Sequence, residues 1–485
     1  MADIERDRRG PLRRGAVRGW IGFDIAAQPF FTVVITFVFG PYVVASVAEN
    51  PAAGQAAWGL AATVAGLLIA MLSPVLGAIA DRVGPRKPWI AGFAALKIGA
   101  LCLLWFAAPG APLLPVLALV VIAQASAEFS IVFNDAMLPS LVAPAEIGRV
   151  SNVAWGLGYA GGMVFLMATL AFLAADAATG RTIIGIAPLF GLDPASGEGA
   201  RATAPLAALW YLLLLLPMML LTPDRATRSA LGPAVRGAMA DLLATGREAR
   251  RRPALFRFLV ARMIYQDGVN ALLILGGTFA AVLFGWTITE SGLFGILLNV
   301  AAIVGCLVAG RLDQRLGPKP VVATSIAILL VATLGIVSTS TGSTLFGLVP
   351  LPATPFTTGL VPAGEAAGLF ATPAEKAYLL WGSLIGLAFG PVQASSRSWL
   401  ARSIAPEEAG RFFGFYALTG RATSFVATLS VSALTAAALP FTDAESAARI
   451  GMSVLVAFFA VGLLALLATP APASLPLEPQ EAPLP

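Results

Sequence analysis

Gly77-Ala-Ile-Ala-Asp81-Arg82-Val-Gly84-Pro85-Arg86, a short polar stretch between two long apolar runs, returns in register as Gly310-Arg-Leu-Asp-Gln314-Arg315-Leu-Gly317-Pro318-Lys319 between two others. A second echo pairs Pro144-Ala-Glu146-Ile-Gly148-Arg149 with Pro406-Glu-Glu408-Ala-Gly410-Arg411. Two independent echoes at equivalent places indicate duplication of one unit, and repeated halves are how many secondary transporters are built.

The surrounding sequence sets the medium. Of 485 residues, 58% are apolar and only 12% charged, against about 25% charged in soluble proteins. That composition cannot coat a water-facing globule, so it excludes an ordinary soluble enzyme and a disordered chain. The net charge of +5 does not imply a nucleic-acid partner, because the basic residues sit in loops between apolar runs. Histidine is absent and the two cysteines, Cys102 and Cys306, stand far apart inside apolar runs. No metal-ligand spacing, P-loop or nucleophile elbow is present, so no cofactor and no enzymatic activity are expected.

A bilayer-crossing helix needs about 20 mostly apolar residues. Twelve such runs lie near 19–47, 57–80, 88–108, 113–138, 151–175, 204–222, 258–285, 291–310, 320–340, 376–398, 412–438 and 447–468. They are apolar on every face and lack the alternation of barrel strands, which predicts an all-α polytopic membrane protein. The first run is too long for a cleavable signal and is expected to stay as an anchor. Twenty-three Lys and Arg fall on one side of these spans and four on the other. By the positive-inside rule both termini are then cytoplasmic, which requires an even number of spans. The expected organisation is a basic tail (1–18), a six-helix bundle (19–222), a basic cytoplasmic loop (223–257) with an amphipathic surface helix, a second six-helix bundle (258–468) and a flexible tail (469–485).

The pattern Gly-x-x-x-Asp-Arg-x-Gly-x-Arg-Lys at 77–87 resembles the signature loop of the major facilitator superfamily. The resemblance implies twelve helices in two pseudo-symmetric bundles, alternating access, and a loop (Gly77, Asp81, Arg82, Gly84, Arg86) that braces spans 2 and 11 in the outward-facing state. Gln314 replaces the acid in the second copy, which is expected to weaken any brace there. Asp24 in span 1, Phe133-Asn-Asp135-Ala-Met-Leu-Pro139, Gly390-Pro-Val-Gln393-Ala-Ser-Ser396-Arg397, Phe412-Phe413-Gly414-Phe415-Tyr416 and Gly420-Arg421 are similar to the autophagy-related vacuolar amino-acid effluxer branch and its bacterial relatives. That narrower resemblance implies export of neutral amino acids in the fungal members, while the substrate class of the bacterial relatives is largely unassigned. A monomer in a bacterial inner membrane, moving a small solute with protons as a coupling ion, is expected. Span 1 departs from the branch in reading Asp24-Ile25-Ala26-Ala27-Gln28-Pro29, where an aromatic and an amide usually follow the acid.

Ionisable groups cost about 2.5–3.5 kcal/mol at bilayer depth on insertion scales, so those present need a partner or a watery cavity. Glu128 shares a helical face with Gln124 and with Asp135, and lies about 10 Å deeper than Asp135. A carboxylate there can load and release protons, unless Lys97 neutralises it as a fixed pair. Arg262, Gln266 and Asn270 recur at spacing four and form a stripe suited to a carboxylate. Asp24 and Gln28 on span 1 complete the candidate substrate or proton contacts. Asp135, Arg397 and Arg421 are candidate gate residues, with Arg421 and Asp135 a possible pair between halves. Two rivals remain open at this point: efflux of drugs or amphiphiles through an aromatic-lined cavity, and a membrane assembly factor on a transporter fold.

Overall fold

The computed structural model describes residues 11–175, 179–286, 288–352 and 369–472. Residues 1–10 and 473–485 of the expected tails, and 353–368 of the loop before span 10, lie outside the described residues. Helix starts follow local chemistry. α1 spans Pro11–Pro29, α2 Pro51–Val83, α3 Lys87–Leu103, α4 Leu113–Asp135, α5 Pro144–Phe172 and α6 Glu198–Leu221. Proline fills the first turn of α2 and α5, where its missing N–H has no intrahelical partner to lose. Asn50 caps α2 by accepting from the Ala53 N–H at 2.9 Å. After α7 (Leu231–Arg251) come α8 (Pro253–Phe284), α9 (Ile288–Leu316), α10 (Pro318–Ser338), α11 (Pro373–Ser403), α12 (Ala409–Arg421), α13 (Val426–Ala438) and α14 (Ala444–Leu467). A Thr372–Glu375 capping box starts α11.

Eleven of these helical stretches are long and apolar enough to cross a bilayer. The expected eleventh run, 412–438, is instead two helices of 13 residues each, α12 and α13, separated by a turn at 422–425. The break has identifiable causes. Asp267 on α8 accepts the Ala427 N–H at 3.1 Å, and Arg262 one and a half turns earlier donates to the Tyr416 carbonyl at 2.8 Å. A discontinuous helix is tolerated at membrane depth where buried neighbours satisfy its backbone.

Span 1 is irregular as well. Beyond Pro29, α1 continues as wider turns over Phe30–Phe37 and Val43–Val47, with Val38 N–H bonding Val33 O at 2.9 Å. Pro29 cannot donate to the Ile25 carbonyl, and the Trp210 indole does so instead at 3.0 Å. Such π-helical stretches often mark functional sites.

Six spans precede α7 and six follow it, counting α12–α13 as one. The loops rich in Lys and Arg all project at one end, called here the basic face. α7 lies across that face. Ala234 packs on Ala78 and Ile79 of α2, and Glu248 pairs with Arg411 of α12 at 3.0 Å. The basic connector is therefore a bridge between both sets of spans. Leucine and methionine side chains such as Leu60, Leu67 and Met71 on α2 face outward, where lipid is as apolar as they are.

Candidate functional site

A cavity of about 670 Å³ lies between the two sets of six spans, a volume suited to a small molecule. The first set lines it with Asp24, Gln28, Phe31, Thr32, Glu128, Asp135, Trp155 and Tyr159. The second contributes Arg262, Gln266, Asn270, Asn299, Phe389, Gln393, Arg397, Phe413, Tyr416 and Arg421. The i, i+4 stripe on α8 faces the cavity as a unit, with Gln266 donating to Asn270 Oδ1 at 3.0 Å.

Three arginines and three carboxylates line this space, unevenly matched. Arg421 pairs with Glu128 across the halves. Arg397 donates through one nitrogen, Nη1, to both Asp24 (3.1 Å) and Asp135 (2.8 Å). Arg262 pairs with no carboxylate among the described residues. It stacks on Tyr416 at 3.4 Å and donates from Nη1 to the Tyr416 carbonyl and to Thr419 Oγ1 at 3.1 Å. Its Nε, Gln266 Oε1 and the Tyr159 hydroxyl are buried without a hydrogen-bond partner.

The hydrogen bonds and ion pairs tying the two sets together concentrate towards the basic face. Asp81 on α2 accepts the first N–H groups of α12, from Gly410 at 2.9 Å and Arg411 at 2.8 Å. Arg86 bonds Asp81 at 2.9 Å and the Pro406 carbonyl at 3.3 Å. A helix N-terminus is a natural seat for a carboxylate. Gly77 lets the backbones touch: a Cβ there would overlap Gly410. Gly84 takes a left-handed φ of 105° to turn the chain towards α3. Arg82 sits against Gly237 of α7. α12 thus closes on α2, while α13 packs on α14 instead. The structure is closed at the basic face.

With this geometry in hand, comparison with known proteins is decisive for the family. The family described as "Vacuole effluxer Atg22 like" matches residues 145–475, more than half of the chain. The chain belongs to that family. The MFS-type transporter YxiO of Bacillus subtilis (strain 168) is 25% identical over 474 residues, covering 96% of this chain and 97% of YxiO. Autophagy-related protein 22 of Cryptococcus neoformans is 28% identical over 194 residues, covering 37% of this chain and 28% of that protein. Among solved structures, the human organic anion transporter MFSD10 aligns with TM-score 0.64 at 14% identity, over 94% of this chain and all of that one. The proton:xylose symporter XylE gives 0.60 at 12%, over 94% of each. The fold is therefore that of the major facilitator superfamily, and this Atg22-like protein is an MFS-type transporter.

The expected contacts rearrange in four places. Lys97 does not meet Glu128. It is buried over the rings of Tyr211 (3.7 Å) and Phe30 (5.0 Å), away from the cavity lining. Gln124 is likewise buried and off the lining. Arg421 takes Glu128 rather than Asp135, which belongs to Arg397. In the second loop copy the acid is Asp313, one residue before Gln314, fully buried and held by Arg402 at 2.9 Å. It bonds Arg402 and Ser398 of its own half while its carboxyl lies against Gly148 of the first, so that brace differs from the first rather than merely being weaker. Trp20, an aromatic within span 1, contacts Arg397, and so does Ser151, which no sequence signal marks.

Asp81→Asn should release this Atg22-like gate. It turns one acceptor oxygen into an NH2 aimed at backbone donors, and bonds to a charged acceptor are each worth about 1.5–3 kcal/mol. A drop in transport above tenfold, with the basic ends apart by spin-label distances, is expected; wild-type distances would refute it. Glu408, outside the spans, ties the start of α12 to the end of the connector. Burial pushes its carboxyl up, but bonds from Arg252 and the Ala405 N–H, with Arg411 beside it, outweigh this and hold it below the usual glutamate value. A depressed carboxyl stabilises above its unfolded value and loses that contribution only as pH falls through the depressed one. Thermal stability should therefore keep this contribution from about pH 5 to 8 and lose it on the acid side. Glu408→Gln should lower it throughout and remove the acid limb.

Proposed function

We propose that this transporter exports amino acids or similarly small zwitterionic metabolites by alternating access, driven by protons. The observation that carries the reading is the charge layout of one cavity: Arg262, without a carboxylate partner, on one set of spans, and the Asp24–Asp135 pair on the other. A zwitterion supplies a carboxylate for the first and an ammonium for the second. The basic face is taken as cytoplasmic by the positive-inside rule, with both termini there and the protein in the cytoplasmic membrane of a bacterium. Closure at that face would then be the outward-open stage of export.

Glu128 is the proposed proton carrier, since it faces the cavity and pairs there with Arg421 of the opposite half. The test is flux in proteoliposomes over a panel of amino acids, with and without a pH gradient. Glu128→Gln should abolish pH-driven flux while leaving substrate counterflow; pH-driven flux at the wild-type rate would remove Glu128 from the coupling. One observation favours a second reading, efflux of amphiphiles: Phe31, Phe37, Phe389, Phe413 and Tyr416 line the same space. Thermal stabilisation by lipophilic cations in preference to amino acids would select it.

A further inference from the structure

The Arg397 guanidinium takes its hydrogen bonds and its ring contacts from the opposite set of spans. Its Nε donates to Ser151 Oγ at 2.8 Å and Nη2 to the Ser151 carbonyl at 2.9 Å. Nη1 serves both Asp24 and Asp135, and the guanidinium lies 4.9 Å from the Trp20 ring and 5.8 Å from that of Trp155. The Trp20 ring is itself fixed by its N–H bond to the Asn134 carbonyl at 2.7 Å. Two carboxylates and two indole faces are what a cation site is made of. All five residues sit on α1, α4 and α5, whereas Arg397 sits on α11.

The geometry points to a cation-binding box built wholly by the first six spans and filled, in the closed state, by Arg397 as a tethered stand-in for the cargo's ammonium or guanidinium group. The charge balance supports exchange. One guanidinium faces two carboxyl groups that are nearly buried, at 13% and 9% side-chain exposure, so one of the two acids has no cation of its own. When the halves part at the basic face, Arg397 must leave with α11, and the two acids are left open to that face. A cationic cargo takes its place. Return of Arg397 then evicts the cargo's cation into the cavity, because the two cannot share Nη1's position. Tighter binding at the basic face than at the opposite one follows from this exclusion. The inference rests on the export reading only for the identity of the cargo.

The test therefore reads conformation, not flux. Spin labels at Glu146→Cys and Glu407→Cys, in a Cys102→Ser/Cys306→Ala background, report the separation of the basic ends in lipid nanodiscs. Arg397→Ala should shift most of the distance distribution to the open value, since nothing then ties Asp24, Asp135 and Ser151 to α11. Methylguanidinium should shift it back, and sodium at equal ionic strength should not. Adding Asp24→Asn and Asp135→Asn should erase the response. Arg397→Gln, which keeps a donor for Ser151, serves the same comparison if the alanine variant expresses poorly. No response to methylguanidinium, or an equal response without the two carboxylates, overturns the box. Failure of every amino acid to be transported would instead sink the export reading and leave this result standing.

Discussion

Gly77→Leu is expected to reduce transport by more than a hundredfold while leaving a folded, membrane-inserted protein. The reason lies in how α2 and α12 meet. A Cβ on Gly77 would enter the Gly410 carbonyl, a Cβ on Gly410 would come 2.7 Å from Gly77 O, and one on Gly414 would reach Pro74 Cα at 2.7 Å. Backbone therefore faces backbone along the crossing, and neither side has a flexible tip to swing away. The Gly410 segment cannot retreat without giving up both N–H bonds to Asp81. Overpacking costs about 1–3 kcal/mol in a well-packed core, and each bond to the Asp81 carboxylate is worth about 1.5–3 kcal/mol. Losing both approaches the roughly 5.5 kcal/mol that turns a 99:1 population into 1:99. Lipid gives no hydrophobic drive to force the helices back together. Gly77→Ala should show the same defect in milder form. Distances between labelled basic ends and flux in the same liposomes check both, and near-normal flux by the leucine variant would remove this crossing from the gate.

The fold was legible because a bilayer imposes length and apolarity on each span regardless of what the span packs against. Apolarity marks only the buried portion, however. Span 5 reads as starting at 151 by hydropathy, yet its helix begins at Pro144, and span 7 reads from 258 although α8 begins at Pro253. The polar first turns obey proline and capping rules in the interface, where hydropathy is silent. The broken span escaped for another reason. Residues 412–438 contain a single charge, Arg421, and what stabilises the break is supplied by Asp267 and Arg262 from α8. At the site, the spacing of Arg262, Gln266 and Asn270 placed one helix face correctly. Pairings were less accessible, since position along a span gives depth but not direction across the bundle. Lys97 and Glu128 share a depth and still point to different neighbours, Tyr211 and Arg421. Asp313 was overlooked because register set Gln314 opposite Asp81; one residue along a helix turns the side chain by about 100°, enough to aim it at Arg402.

Arg262→Ala is expected to weaken binding of α-amino acids by a hundredfold or more, and to leave the affinity for the corresponding decarboxylated amines nearly unchanged. The guanidinium is held flat against Tyr416, and its Nε has no partner, so a carboxylate meets a fork already oriented. Charge-assisted bonds of this kind are worth about 1.5–3 kcal/mol each, and a pair corresponds to at least two factors of ten in affinity. Arg262 also donates to the Tyr416 carbonyl beside the α12–α13 break, so truncation carries a structural cost of its own. The amine control separates the two contributions, because a distorted cavity would weaken both ligand series while a lost carboxylate grip weakens one. Arg262→Lys keeps the charge without the planar fork and should fall between wild type and alanine for amino acids only. Calorimetric titration of matched acid and amine pairs reads the difference directly. Equal losses for acid and amine would assign Arg262 to holding the broken helix, and the carboxylate end of the cargo would have to be sought elsewhere in the cavity.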